Sequence, residues 1–322
     1  MKTLGICIPT YKRPDFLRRC VLSAIESAQG CPVRIFIADD AASDVNDAVL
    51  AELTAAWPFV HAHKNPVNLG LDNNIQRSVD LCDCDYAWMI GEDDVFLPGA
   101  VARMHALLQS VELPFVFANY AYVGDDPAQR LGQALEGVLA GALPTPDFVT
   151  RHLWAAGFLG ACVVRRADWG RTDPAPYTGT YYTHVGRIVE MLSDAGQAWV
   201  SPECSVGNRV EGDDTFTWKK DSYGVFFGFL SMCRTAATRR PALSAALHAA
   251  GRALEQRYRW LSIRVAARLR SQRAYDYGQY RKYLSTSDVP AMKKFVLLAV
   301  SVTPPSVFEP LVRAYRARRR SA

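Results

Sequence analysis

The 322-residue sequence predicts an α/β protein, a mostly parallel sheet flanked by helices and followed by a helical, basic C-terminal extension. Three observations predict this. Short apolar, β-branched runs alternate with segments of helical periodicity through about residue 125, the pattern of strands joined by crossover helices. The composition, 49% apolar and 21% charged, is that of a folded globular chain. Charge is also split along the sequence. Residues 1–224 hold 18 Lys+Arg against 28 Asp+Glu, a net −10, and residues 225–322 hold 19 against 4, a net +15, which together give the chain's +5.

The elements follow in order. "TLGICIP" is a buried strand closed by Pro9. "RPDFLRRCVLSAIESA" places Phe16, Leu17, Cys20, Val21, Ala24 and Ile25 at helical spacing. "VRIFIADD" is a second strand ending on two acids, "DAVLAELTAAW" a helix, and "FVHAHKN" a third strand. "LDNNIQRSVDLC" is a helix, "YAWMIGEDD" a fourth strand, "PGAVARMHALLQS" a helix, and "PFVFANYAYV" a fifth strand. Residues 126–224 are less regular and rich in Gly, Pro and aromatic residues. From Tyr223 onward the pattern is helical, with Arg interleaved among apolar positions. The predicted organisation is a domain over residues 1–224, divided near residue 125 into two halves, and a basic helical region over residues 225–322.

Eight cysteines contain no C-x-x-C pair, so buried free thiols in a reducing compartment are expected. The N-terminal apolar run is too short for a signal peptide, and no stretch reaches the length needed to span a bilayer. A cytoplasmic protein, peripheral on the inner face of the cell membrane, is the expectation.

In open sheets of this kind ligands bind beyond the carboxyl ends of the strands. Those ends are "PTYKR", "ADDAASD" and "GEDD". The last raises a physical question, because Glu92, Asp93 and Asp94 follow an apolar run. Adjacent carboxylates repel and lose hydration on burial unless a cation or a set of donors meets them. Either they form a solvated acidic turn ahead of a helix N-terminus, or they hold something positive.

"ICIPTYKRPDFLRRCVLSAI", "IFIADDAASD", "NLGLDNNIQRSV" and "WMIGEDDVFLPGAV" together resemble, in order and spacing, the nucleotide-sugar-binding half of family 2 glycosyltransferases with the GT-A fold. "GFLGACVVRRADW" and "YTGTYYTHV" resemble the abequosyltransferase-like branch of that family. The resemblance implies roles. Pro9, Thr10, Tyr11 and Arg13 stand where the first loop wraps the nucleotide, and Asp39 where the base is read. Asn68, Gly70 and Asn74 match an N-x-G-x-x-x-N segment whose amides bond nearby backbone or nucleotide. "GEDD" stands at the family's D-x-D. Mn²⁺ or Mg²⁺ between carboxylates and a diphosphate stabilises both, with Asp93 and Asp94 nearest and Glu92 beside them. Gly91 occupies the place where many members carry the first Asp.

The wider family often has an acidic pair, whose Asp is the general base, where this chain reads Thr183-His184. His184 is therefore a candidate base, an additional metal ligand, or a structural residue beside Tyr177, Tyr181 and Tyr182. Asp213 and Asp214 are the next candidates for the base. His61 and His63 form an H-x-H without a third ligand, and Arg165 and Arg166 are either phosphate ligands or solvated charges.

The expected function is a metal-dependent transfer of a sugar, possibly a deoxysugar, from a nucleoside-diphosphate donor to a glycan or lipid-linked glycan hydroxyl in bacterial surface polysaccharide assembly. The basic region is expected to meet an anionic membrane surface. No nucleic-acid-reading module accompanies it, so nucleic acid is not an expected partner. The rival readings are a nucleotide-sugar nucleotidyltransferase and a non-catalytic, membrane-associated nucleotide-binding protein.

Overall fold

A computed structural model describes residues 1–210 and 221–320 of the chain. The described residues fall into two compact units, residues 1–210 with 232–250 and residues 221–231 with 251–320.

The first unit is built on one ten-stranded sheet. Its parallel half is β1 (Leu4–Thr10), β2 (Val33–Asp39), β3 (Val60–Lys64) and β4 (Tyr86–Met89), in the order β3-β2-β1-β4. α1 (Pro14–Ala28), α2 (Asp47–Ala56) and α3 (Leu71–Asp80) make the connections. β1 is buried at every residue, as a near-continuous apolar run in a central parallel strand must be. β3 alternates between half-buried His61 and His63 and exposed Ala62 and Lys64, and forms the edge. α1 starts with Pro14 in its first turn and ends at Gln29 in the left-handed conformation, turning Leu17, Cys20, Val21 and Ala24 onto the sheet.

Beyond β4 the sheet becomes mixed. β5 (Val95–Phe96), α4 (Ala100–Ser110), β6 (Phe115–Val123), β7 (Arg130–Gln133) and β8 (Gly141–Pro144) are followed by α5 (Thr145–His152), β9 (Cys162–Arg165) and α6 (Arg166–Trp169). α7 (Thr183–Ala195) and β10 (Gln197–Arg209) complete it. β9 lies antiparallel between β4 and β6, and β10 runs parallel to β6 and antiparallel to β5. The expected alternation holds for the elements through residue 123, but β6 is not a direct neighbour of β4. The four-residue run Cys162–Arg165 takes the place between them, and a run that short carries no signal of direction in its periodicity.

The sheet brings the ends of β1, β2 and β4 to one edge in register. Thr10 is paired with Asp39, and the Ile90 amide donates to the Cys7 carbonyl at 3.0 Å. All eight cysteines are free thiols, six of them buried.

The second unit holds the start of α8 (Ser222–Arg239), the end of α9 (Ser244–Tyr258), α10 (Ile263–Ser271), the short α11 (Tyr277–Gln279), α12 (Ala291–Val302) and α13 (Pro305–Arg320). Tyr223, Tyr275, Leu284 and Leu297 are buried in it. The Tyr275 hydroxyl donates to the Leu297 carbonyl at 2.9 Å, which satisfies the ring's polar end. No single helix among the described residues is long and apolar enough to cross a membrane.

Candidate functional site

The ends of β1 and β2 carry buried polar groups in two different states. Asp40 accepts from Asn65 Nδ2 at 2.9 Å and from the Leu69 and Gly70 amides at 2.7 and 2.9 Å. It thereby pins the loop ahead of α3, where Gly70 takes a positive φ of 77° that suits glycine. Asn68 turns back to accept from the Gly70 amide. Asn74 donates to the Ala38 carbonyl at 3.0 Å and accepts from Asn65. Of the alternatives open for these amides, the structure shows bonds to the protein itself.

Asp39 differs. Its Oδ1 accepts from the Ala41 amide and from Asn46 Nδ2, while its Oδ2 is buried with no partner. Thr10 Oγ1, on the strand paired with it, is also buried and unpartnered. Buried polar atoms are rarely left unsatisfied, and here an acceptor and a hydroxyl stand together at the sheet edge where ligands bind. Pro9 is buried behind them, and Tyr11 is exposed.

The acidic segment follows β4. Asp94 is 7% exposed, and its Oδ1 accepts from the Arg209 amide at 3.2 Å. Asp93 is held by Arg13 at 3.0 Å, and Glu92 stands 3.5 Å from the same guanidinium. Arg13 therefore ties the first loop to the carboxylates. Burial, then the neighbouring Asp93 charge, pushes the Glu92 carboxyl up to about 8, against the pull of Arg13. The same causes hold Asp94 well above the usual carboxylate range. The positive charge nearby does not offset the burial of Glu92 and Asp94.

Glycine at position 91 has a geometric reason. A Cβ there would lie 3.1 Å from both Asp93 Oδ1 and Asp94 Oδ2, so the two oxygens flank one small space. Two converging carboxylates with surplus negative charge suit Mg²⁺ or Mn²⁺, which take one or two carboxylates and complete their shell with phosphate oxygens and water. No three His, Cys, Asp or Glu side chains among the described residues converge as a full ligand set. Asp93 and Asp94 are the residues here that could hold such an ion.

Arg209, at the end of β10, was not legible as a site residue. Its guanidinium lies over the Phe16 ring at 4.2 Å, and one nitrogen pairs with Asp125 at 3.1 Å. Nε and Nη2 are buried without a partner. A guanidinium with two unused donors, adjoining Asp94 through its own backbone, is suited to a phosphate.

His184 lies in the first turn of α7, 2% exposed, with neither ring nitrogen in a normal hydrogen bond. Burial lowers its pKa to about 4, against a nearby Asp72 charge and the backbone of Ala156 and Gly157. Its ring stacks on Tyr182 at 6.3 Å. Asp72, a second residue missed from sequence, accepts from the Gly179 and Tyr181 amides at 2.8 and 3.2 Å and keeps Oδ1 buried and unpartnered. It lies inside the Asn68–Asn74 segment, where an acid beside two asparagines gave no sign of reaching α7. Asp213 and Asp214 lie outside the described residues.

The remaining candidates stand elsewhere. His61 and His63 contact Arg34 and Arg77 at 3.1 and 3.0 Å. Arg165 pairs with Asp168 and Arg166 donates to the Cys82 carbonyl. Both arginines sit near the amino ends of β4 and β6, away from the acidic segment, so the phosphate reading gains nothing for them. A cavity of about 350 Å³ at that edge is lined by Arg239, Arg240 and Glu190 among others. Arg239 and Arg240 are already paired with Glu190, and Arg165 and Arg171, which also line it, with Asp168; it holds none of the groups at the ends of β1, β2 and β4.

The description "Glycosyl transferase family 2" matches residues 5–160. The chain is 27% identical over 214 residues to abequosyltransferase RfbV of Salmonella typhimurium, covering 60% of this chain and 62% of that protein. It is 27% identical over 123 residues to an uncharacterised Mycobacterium tuberculosis protein, 38% of each. The chain thus spans less than two thirds of the length of these curated relatives.

Among solved structures, S. aureus TarS in complex with UDP-GlcNAc superposes with a TM-score of 0.54 at 12% identity, over 98% of this chain and 92% of that one. The Pyrobaculum calidifontis mannosyltransferase PcManGT, in complex with GDP-Man and Mn²⁺, superposes with a TM-score of 0.53 at 14% identity, over 93% and 86%. At these identities the likeness shows a shared GT-A fold.

Proposed function

We propose that the chain is a glycosyltransferase of family 2, the family whose description matches residues 5–160, and that it transfers a sugar from a nucleoside-diphosphate donor to a glycan hydroxyl. The donor sugar is proposed to be a deoxysugar, after the abequosyltransferase likeness. A lipid-linked glycan in surface polysaccharide assembly is the proposed acceptor. The reading rests above all on the paired carboxylates of Asp93 and Asp94 around Gly91, with the unused donors of Arg209 beside them.

In this reading Thr10 and Asp39 take the nucleoside, the free Oδ2 of Asp39 accepting an imide or amino hydrogen of the base. Arg209 donates to the diphosphate. Asp93 and Asp94 would hold a divalent cation, which when bound neutralises the charge developing on the leaving diphosphate. The acceptor oxygen forms the new bond to the sugar's anomeric carbon as the bond to the diphosphate breaks, and the hydroxyl proton leaves to a base. His184 is the proposed base, because neither ring nitrogen is in a normal hydrogen bond and its ring stays neutral at physiological pH. Asp72 would stabilise the imidazolium formed. The chain is proposed to work on the cytoplasmic face of the membrane, held there by its basic region.

The test is a binding titration of UDP, GDP, CDP and dTDP, each with and without Mn²⁺, on the wild type and on Asp94→Asn. The expected result is tight binding of one nucleotide that needs both the metal and Asp94. Binding that ignores both would move the carboxylates to a structural role, and no binding would remove the donor site.

A further inference from the structure

α12 is apolar on two faces. Leu297 and Val300 are buried on its inner side, as a packed helix requires. Its outer side carries Met292, Phe295, Ala299 and Val302, spaced i, i+3, i+7 and i+10, and all four are exposed. Met292 is 74% exposed and Phe295 68%. Ile263, which opens α10, is 57% exposed, and with Met292 it borders a shallow, mainly apolar groove of about 220 Å³. A helix with a second, exposed apolar face in water lacks a covering surface.

The charge around it selects the occupant. Residues 251–322 contain 16 Lys+Arg against 4 Asp+Glu, a net +12. Lys293 lies within the exposed turn between Met292 and Phe295, and Arg264 follows Ile263. A second copy of the chain would bring the same positive charge to the same face. A neutral apolar partner would leave that charge without a role. An anionic phospholipid headgroup layer over hydrocarbon matches both the apolar stripe and the cations.

Length decides between lying on the bilayer and crossing it. Twelve residues of α12 rise only about 18 Å, against a hydrocarbon core of about 30 Å. The chain then bends by 102° into α13, where Val307 and Leu311 are again exposed.

We propose that the outer stripe of α12, centred on Met292 and Phe295 and joined by Ile263, is the face by which the chain rests on an anionic phospholipid bilayer. This deepens the membrane-associated reading above and depends on it, but it does not depend on the donor site. Phe295 and Met292 enter the headgroup boundary, and the Lys and Arg side chains meet lipid phosphates.

The full chain is tested by cosedimentation with vesicles of phosphatidylcholine alone and of phosphatidylcholine with phosphatidylglycerol, at low and high salt. The wild type is expected to bind the anionic vesicles in a salt-sensitive manner. Met292→Asp with Phe295→Asp is expected to lower that binding about tenfold or more, with an unchanged melting transition, since both side chains are exposed. Nucleotide binding is measured on the same variant and is expected to be unchanged, which keeps a failure here distinct from a failure of the glycosyl-transfer reading. Equal binding to both vesicle types, no binding to either, or undiminished binding by the double variant would each overturn the proposal. So would a vesicle-free dimer that the double variant dissociates, because a second copy would then cover the stripe.

Discussion

Asp40 and Asp94 look alike as sequence: each closes a run of acids at the end of an apolar strand. In the folded chain they are opposites. Asp40 is surrounded by three donors, two of them backbone amides. Asp94 receives one bond, from the Arg209 amide, and Glu92 and Asp93 share the single guanidinium of Arg13. Burial is comparable, Asp40 at 3% and Asp94 at 7%, so burial does not separate them. The supply of donors does. Desolvated carboxylates that the protein satisfies are part of the scaffold, and those it leaves short of positive charge are poised for a ligand that brings some.

The contrast can be broken most directly by exchanging a carboxylate in each set. Asp94→Asn should cut glycosyl transfer on the order of a thousandfold while leaving thermal stability unchanged or raised, because it removes a charge from a crowded site. Asp40→Ala should do the reverse in kind. It strands the Leu69 and Gly70 amides and Asn65 Nδ2, and unfolding free energy should fall by about 3 kcal/mol. Chemical denaturation and turnover, measured on both variants, separate the outcomes. Equal loss of stability in the two would show that Asp94 is scaffold as well.

A smaller perturbation sharpens the same point without touching a carboxylate. In Gly91→Ala the added Cβ meets both Asp93 Oδ1 and Asp94 Oδ2 at 3.1 Å, so each oxygen must shift by a few tenths of an ångström. Mn²⁺-dependent nucleotide binding should weaken by about tenfold, with stability nearly constant. An unaffected titration would mean that those two oxygens do not act together on the cation.

Much of this was legible in the sequence, for identifiable reasons. β1 to β4 and their helices announce themselves by apolar runs and helical spacing, and the acids fall on strand ends that the fold must bring to one edge. The resemblance of the four ordered motifs is matched by the family assignment over residues 5–160. What was not legible depends on pairing across long separations. β9 is four residues long, and its place between β4 and β6 is fixed by partners more than 40 residues away. Arg209 meets Asp94 across 115 residues, and Asp72 meets the loop before α7 across 107. No local periodicity encodes such meetings.

His184 is a third answer to burial without partners, and it yields the smallest of the expected effects. A carboxylate short of donors stays protonated or waits for a cation, whereas an imidazole simply gives up its proton. Asp72, the Tyr182 ring and the backbone of Ala156 and Gly157 face it, and desolvation outweighs the Asp72 charge, lowering the pKa from 6.5 to about 4. The unfolded chain therefore binds the proton more tightly than the folded one between these values. Stability is fully present above pH 6.5 and is lost as pH falls toward 4. From pH 6.5 to about pH 5.5 this group alone should remove about 1 kcal/mol. His184→Gln cannot titrate there, so the wild-type and variant stability curves should diverge by that amount over the interval. Parallel curves would mean that the ring is solvated or paired in solution, and the same result would withdraw the neutral imidazole from the proposed proton transfer.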